Sequence, residues 1–135
     1  MIIRVLTAAA VIVSAAVHFK LWLDGFSEIP TIGPLFLLNA AGGLAIGLLV
    51  LFWRHWLPAL AAVGFGASTL GAFIISATVG LLGLQESFRG TSELTAAAAE
   101  VVAILGGLAL LGLWWTRRSA GKSEYRLPAD RAHLH

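Results

Sequence analysis

The sequence predicts an all-α fold, a polytopic integral membrane four-helix bundle. Three observations predict it. Hydrophobic residues make up 59% of the chain and charged residues 12%, against roughly 45–50% and about 25% in an ordinary soluble domain. The apolar residues fall into four runs, each near the roughly 20 residues that a membrane helix needs. The breaks between the runs and the C-terminal tail together hold most of the charge. This composition excludes a soluble enzyme domain, a disordered chain and a nucleic-acid binder of the basic-patch kind. With no cysteine there is no disulfide, thiolate metal site or cysteine nucleophile.

The first span covers residues 3–23, interrupted by Arg4 at its start and by His18 and Lys20 near its end. The chain then breaks at Asp24, Gly25 and Pro30. Pro34 opens the second span, residues 33–53, because a helix start does not need the missing N–H of proline. Within that span Asn39 is the one strongly polar residue. Arg54, His55 and Pro58 make a tight turn into the third span, residues 58–84, which holds no charge. A polar connection over residues 85–93 leads to the fourth span, residues 94–116, whose one charge is Glu100. Thr91 or Ser92 is expected to cap that helix, with Glu93 near its positive end. Residues 1–116 then form one transmembrane domain and residues 117–135 a basic, solvated tail whose first residues could touch anionic lipid.

Orientation follows from the lysines and arginines beside the spans. With the N-terminus inside, Arg4, Arg54, Arg117, Arg118, Lys122, Arg126 and Arg131 lie inside, and only Lys20 and Arg89 lie outside. Both termini are therefore expected on the cytoplasmic side. Trp22, Trp53, Trp56, Trp114 and Trp115 all fall at span ends, where amphipathic rings prefer the interface. A cleaved signal peptide is the rival reading of the first span, but no cleavage site is followed by a polar mature chain.

Spans two and four align at an offset of 61, which places Asn39 on Glu100 and Trp53 on Trp114. The chain can thus be read as two helical hairpins in a parallel repeat. Small residues let membrane helices approach closely, and they mark the inward faces. Those faces are Asn39, Gly43 and Gly47 on span two, and Glu100, Ala103 and Gly107 on span four. On span three they are Gly64, Ala67, Gly71, Ile75 and Thr78, and on span one Ser14, His18 and Trp22.

The polar residues inside the spans are the most informative. A charged group at membrane depth costs at least about 2.5–3.5 kcal/mol on insertion scales, so it faces the protein interior and has a partner. Counted from the span ends, His18, Asn39, Thr78 and Glu100 all lie roughly 8–9 Å below one boundary. Each span gives one member to this layer. His18 and Glu100 are expected to pair and to hold or pass a proton, because imidazole titrates near neutrality. Lys20, Trp22, Glu28, Glu86, Arg89 and Glu93 would rim an outward pocket, and Phe19, Phe26, Phe36 and Phe88 would supply apolar walls. A purely structural polar clamp explains the same layer, since interhelical polar contacts are worth roughly 0.6–2 kcal/mol in membranes.

Other chemistries fit less well. A metal would find His18 and Glu100 with no second histidine at that depth, so no metal is expected. A haem held by two histidines has no ligands across the bundle, and one held by His18 alone is disfavoured. Ser14, Ser68 and Ser76 lack a matched histidine and acid, and Gly64-Phe65-Gly66 is no phosphate loop inside a helix. His133 and His135 are too few to argue for chelation.

Residues 15–22 (AAVHFKLW) and 29–40 (IPTIGPLFLLNA) resemble small four-helix membrane proteins of high-GC Gram-positive bacteria, and more distantly the DoxX-like group. In the latter a Lys-Leu near the end of span one is common, and Lys20-Leu21 would be its match. The resemblance implies a four-helix bundle in a bacterial plasma membrane and keeps quinone-type ligands in view. It assigns no role to His18 or Glu100. The sequence thus points to a small membrane binding or accessory protein rather than an enzyme. Its outward pocket would take a lipid-like or quinone-like molecule or a partner helix. The alternatives are an oxidoreductase or proton-coupled transporter using His18 and Glu100, and a structural subunit. The expected partners are the lipid bilayer and other membrane subunits or further copies of the chain, with no nucleic acid.

Overall fold

The computed structural model describes residues 1–81 and 90–124. Among these, four helices are long and apolar enough to cross a membrane: α1 (Ile2–Leu23), α2 (Ile32–Phe52), α3 (Trp56–Thr78) and α4 (Thr91–Glu124). Each coincides with an expected span, so the all-α four-helix bundle is observed. Large apolar residues such as Leu6, Leu38, Leu105 and Trp115 lie exposed around it. The buried centre is made of small side chains, among them Ala8, Val11, Ala62 and Ala103. Bulk outside and small residues inside is the arrangement expected when the solvent is lipid and close packing drives association.

Two boundaries differ from the sequence reading. Helix α3 stops at Thr78, short of residue 84, because Gly80 turns to φ 82° and its N–H bonds back to the Ile75 carbonyl at 3.0 Å. Glycine tolerates that left-handed backbone, and Leu81 after it is not helical. Helix α4 runs in the other direction past residue 116 to Glu124, so the first part of the expected tail is helical and exposed. At its start Thr91 is already helical and Gly90 holds the position ahead of it, so neither Thr91 nor Ser92 is the cap. The connection between α1 and α2 is compact. Gly25 takes φ 129°, a short 3-10 turn spans Phe26–Glu28, and Thr31 takes φ 68° just before α2. Gly33 sits where a Cβ would come 2.6 Å from the Ser27 carbonyl oxygen, so only glycine lets this turn lie on the helix.

The helices do not pack evenly. Helix α1 is central, with Thr7, Val11, Ser14, His18 and Leu21 on one buried stripe. It lies along α2 on one side and along α4 on the other, and α4 lies along α3. Helices α2 and α3 touch over a much shorter stretch. Both sequential hairpins are therefore tight, but of the two interfaces a parallel repeat would make equivalent, α1 with α4 and α2 with α3, only the first is closed.

Close approaches explain the pattern. A Cβ on Gly43 would meet the Ala15 Cβ at 2.8 Å, and one on Gly47 would meet Ile12 at 2.5 Å, which fixes α2 against α1. A Cβ on Gly107 would meet Val63 at 2.7 Å and the Ala59 carbonyl at 2.8 Å, which fixes α4 against α3. The inward face of α3 is not the expected one. Gly64 and Gly71 have open space around them, and Ala67, Ile75 and Thr78 are exposed. The buried stripe is Ala59, Ala62, Phe65, Gly66 and Ser76. Both stripes carry small residues. The one that turns inward lets the helix backbones touch, since a Cβ on Gly66 would lie 2.8 Å from the Glu100 carbonyl oxygen.

This orientation is testable by thermal unfolding in detergent micelles. Gly66→Ala is expected to destabilise the bundle by ~1–3 kcal/mol, the cost of overpacking. Gly64→Ala is expected to stay within ~0.5 kcal/mol. Equal effects would contradict the observed rotation of α3.

Candidate functional site

The uneven packing leaves a cavity of about 240 Å³ in the seam between α2 and α3, floored by α1 and α4. Ile32, Leu35, Phe36 and Asn39 line it from α2. Ser68, Thr69, Ala72, Phe73 and Ser76 line it from α3. His18 and Leu21 close it from α1, and Glu93, Ala96 and Glu100 from α4. Three of the four expected layer residues, His18, Asn39 and Glu100, thus meet at one cavity.

Glu100 anchors the site. It is the largest fully buried side chain among the described residues, 1% exposed, and it sits in α4 where α1 and α3 converge. The Ser14 hydroxyl donates to its Oε1 at 3.0 Å. The Ser14 carbonyl in turn accepts from His18 Nδ1 at 2.8 Å. A carbonyl can only accept, so Nδ1 carries the proton and the neutral ring offers Nε2 as an acceptor. Ser14 therefore stands between the two members of the expected pair, its hydroxyl on Glu100 and its backbone carbonyl on His18. Ser14 lies one turn before His18 on the same buried stripe.

On the opposite wall Asn39 Nδ2 donates to Thr69 Oγ1 at 2.9 Å, a polar link between α2 and α3. Asn39 Oδ1 is buried with no hydrogen-bond partner among the described residues. Phe36 stands between this wall and α1. Its ring meets His18 edge-on at 5.1 Å and stacks on Phe26 at 4.9 Å; Phe36 lines the cavity, and Phe26 does not.

The remaining expectations divide. Thr78 is exposed and its hydroxyl donates to the Ile74 carbonyl of its own helix at 2.7 Å, so it is not part of the layer. Its place is taken by Thr69. Both depth and face differ from the expectation, because α3 ends at Thr78 itself and Thr78 belongs to the outward stripe. Lys20 is exposed and pairs with Asp24 one turn on. Trp22 stacks on Phe19 at 6.0 Å, and Glu28 is exposed; Lys20, Trp22, Phe19 and Glu28 do not line the cavity. Glu93 does line it. Glu86, Arg89 and Phe88 lie outside the described residues. Sequence reasoning missed Ser14 as a partner of Glu100, and Ser68, Thr69 and Ser76 as lining. The available signal was the alternative α3 stripe through Ala62, Gly66, Thr69 and Ser76, equally small and more polar.

The chain matches no family model, no curated protein and no solved structure.

The seam makes a direct comparison possible. Thr69→Val removes the acceptor of Asn39 and is expected to cost ~1 kcal/mol, within the range of interhelical polar contacts in membranes. Thr78→Val removes a hydroxyl that bonds only within its own helix and is expected to be nearly neutral. Unfolding midpoints of the two variants side by side check this, and a larger loss at Thr78 would refute the assignment.

Proposed function

We propose that this is a small membrane binding or accessory protein whose α2–α3 cavity receives one small molecule with an apolar body and a hydrogen-bonding head. The observation that carries this reading is a gap at membrane depth walled by buried polar groups rather than by side chains that fill it. Lipid-facing packing alone would close such a seam with alanine and leucine. Here His18, Asn39 and Glu100 stand among the apolar residues that border it.

The chemistry of the wall narrows the head group. His18 offers Nε2 as an acceptor, and Asn39 Oδ1 is an acceptor with no partner among the described residues. These favour a ligand that presents O–H or N–H groups. A hydroquinone-like ring or the hydroxyl-bearing head of a lipid fits this requirement. The volume, about 240 Å³, is just below the roughly 300–1,000 Å³ of common ligand pockets. It suits a ring or head group, with any tail lying in the seam between α2 and α3. With both termini on the cytoplasmic side, the cavity end faces outward, in a bacterial plasma membrane.

A proton relay between His18 and Glu100 is the second reading. The bonds to Ser14 hold both groups in place, but the Ser14 backbone carbonyl that His18 contacts accepts a hydrogen bond and does not hand a proton on. The binding reading needs no such step.

Native mass spectrometry of gently solubilised protein tests the proposal. The wild type is expected to carry one bound small molecule. Ala72→Phe, which fills the cavity from α3, is expected to release it while helix content is retained. Ala67→Phe, on the exposed side of the same helix, is expected to keep it. A bare wild-type chain, or a molecule that survives Ala72→Phe, would overturn the reading.

A further inference from the structure

The end of the bundle away from the polar cavity has an opposite character. The start of α1, the loop between α2 and α3 and the late turns of α4 meet there. Arg4, Arg54 and Arg117 converge on a second cavity of about 300 Å³, with Leu110, Leu113 and Trp114 as its apolar side. The three guanidinium groups lie close enough that the charges of Arg54 and Arg117 act on Arg4. Among the described residues no carboxylate forms an ion pair with any of them; the ion pair that is formed, Lys20 with Asp24, is at the other end. Like charges gathered without a counter-charge repel one another, and an anion relieves that repulsion.

Arg4 is held in place by the fold. Its Nη1 donates to the Val50 carbonyl at 2.6 Å and to the Trp53 carbonyl at 3.5 Å, at the C-terminal end of α2, where unsatisfied carbonyls attract a cation. A guanidinium has five N–H donors in a planar fork, so donors remain for a second acceptor. An aromatic chain ends on Trp114, which lines the site. Trp53 stacks on His55 at 4.9 Å, His55 meets Trp56 at 5.6 Å, and Trp56 meets Trp114 at 6.3 Å. Tryptophans gathered in this way sit at head-group depth.

We infer that the cavity of Arg4, Arg54 and Arg117 binds the phosphate of an anionic phospholipid. The guanidinium groups take the phosphate oxygens as charge-assisted hydrogen bonds. Leu110 and Leu113 lie where the first acyl carbons would run. A free phosphate offers the same oxygens but gains nothing from that apolar side, so the lipid is the ligand that uses the whole site. The inference is independent of the cavity between α2 and α3.

The test uses the full chain in mixed micelles of phosphatidylglycerol and phosphatidylcholine in equal amounts, read by native mass spectrometry. The wild type is expected to retain phosphatidylglycerol over phosphatidylcholine. Arg54→Gln with Arg117→Gln is expected to reduce that preference about 25-fold, from about fivefold per arginine near a charged lipid. Arg4 is left intact because it also caps α2. Lys122→Gln with Arg126→Gln removes the same charge farther along the chain and is expected to keep most of the preference. An equal loss in both pairs would show general charge attraction and overturn the site. Inorganic phosphate that binds the wild type with no lipid preference would also overturn it, in favour of a free anion.

Discussion

A carboxyl group inside a membrane bundle needs donors, and the place where it finds them decides how the helices meet. In this protein the Ser14 hydroxyl supplies a donor to Glu100, which ties α1 to α4. At the same level of α4, α3 comes into close contact, its Gly66 against the Glu100 backbone. Three helices are thus drawn together at one residue. Helix α2 joins through α1, at Gly43 and Gly47, and reaches α3 at Phe65 and through the bond from Asn39 to Thr69. The open seam between α2 and α3 follows from this. Those two helices are each fixed on the far side, and little pulls them together.

That arrangement divides the molecule between two kinds of chemistry. One end has a cavity bordered by a buried carboxyl, an imidazole and an amide, suited to hydrogen bonding in a dry setting. The other has three arginines among tryptophans and leucines, suited to the charged surface of a bilayer. A buried polar group without water is worth keeping only if it is satisfied, and the described hydrogen bonds of Ser14, His18 and Asn39 meet much of that demand. What they leave, the acceptors on His18 and Asn39, gives the seam its chemical direction.

The helices were legible in the sequence because apolar runs of membrane length leave few other structures available to a backbone with no water to bond. The layer was legible in part for the same reason, since His18, Asn39 and Glu100 are costly at that depth and must face inward. Thr78 was misplaced because threonine is cheap in a membrane helix. It can return its hydroxyl to the preceding turn, as it does to Ile74, and so its position says little about which face is buried. The rotation of α3 rests on a contest between two stripes of small residues, decided by backbone contact with α4 that no single helix reveals. The end of α3 was misjudged because hydropathy does not register the left-handed turn at Gly80. The Ser14 link was hidden because it crosses 86 residues of chain, although both partners stood on inward stripes.

The most direct test of this account is a double-mutant cycle on Ser14→Ala and Glu100→Ala, measured as unfolding free energy in a lipid-like detergent. If the bond between them organises the bundle, the two changes are coupled, by ~0.6–2 kcal/mol on the scale of interhelical polar contacts. Strict additivity would show that Ser14 and Glu100 act separately, and the explanation of the open seam would fail with it.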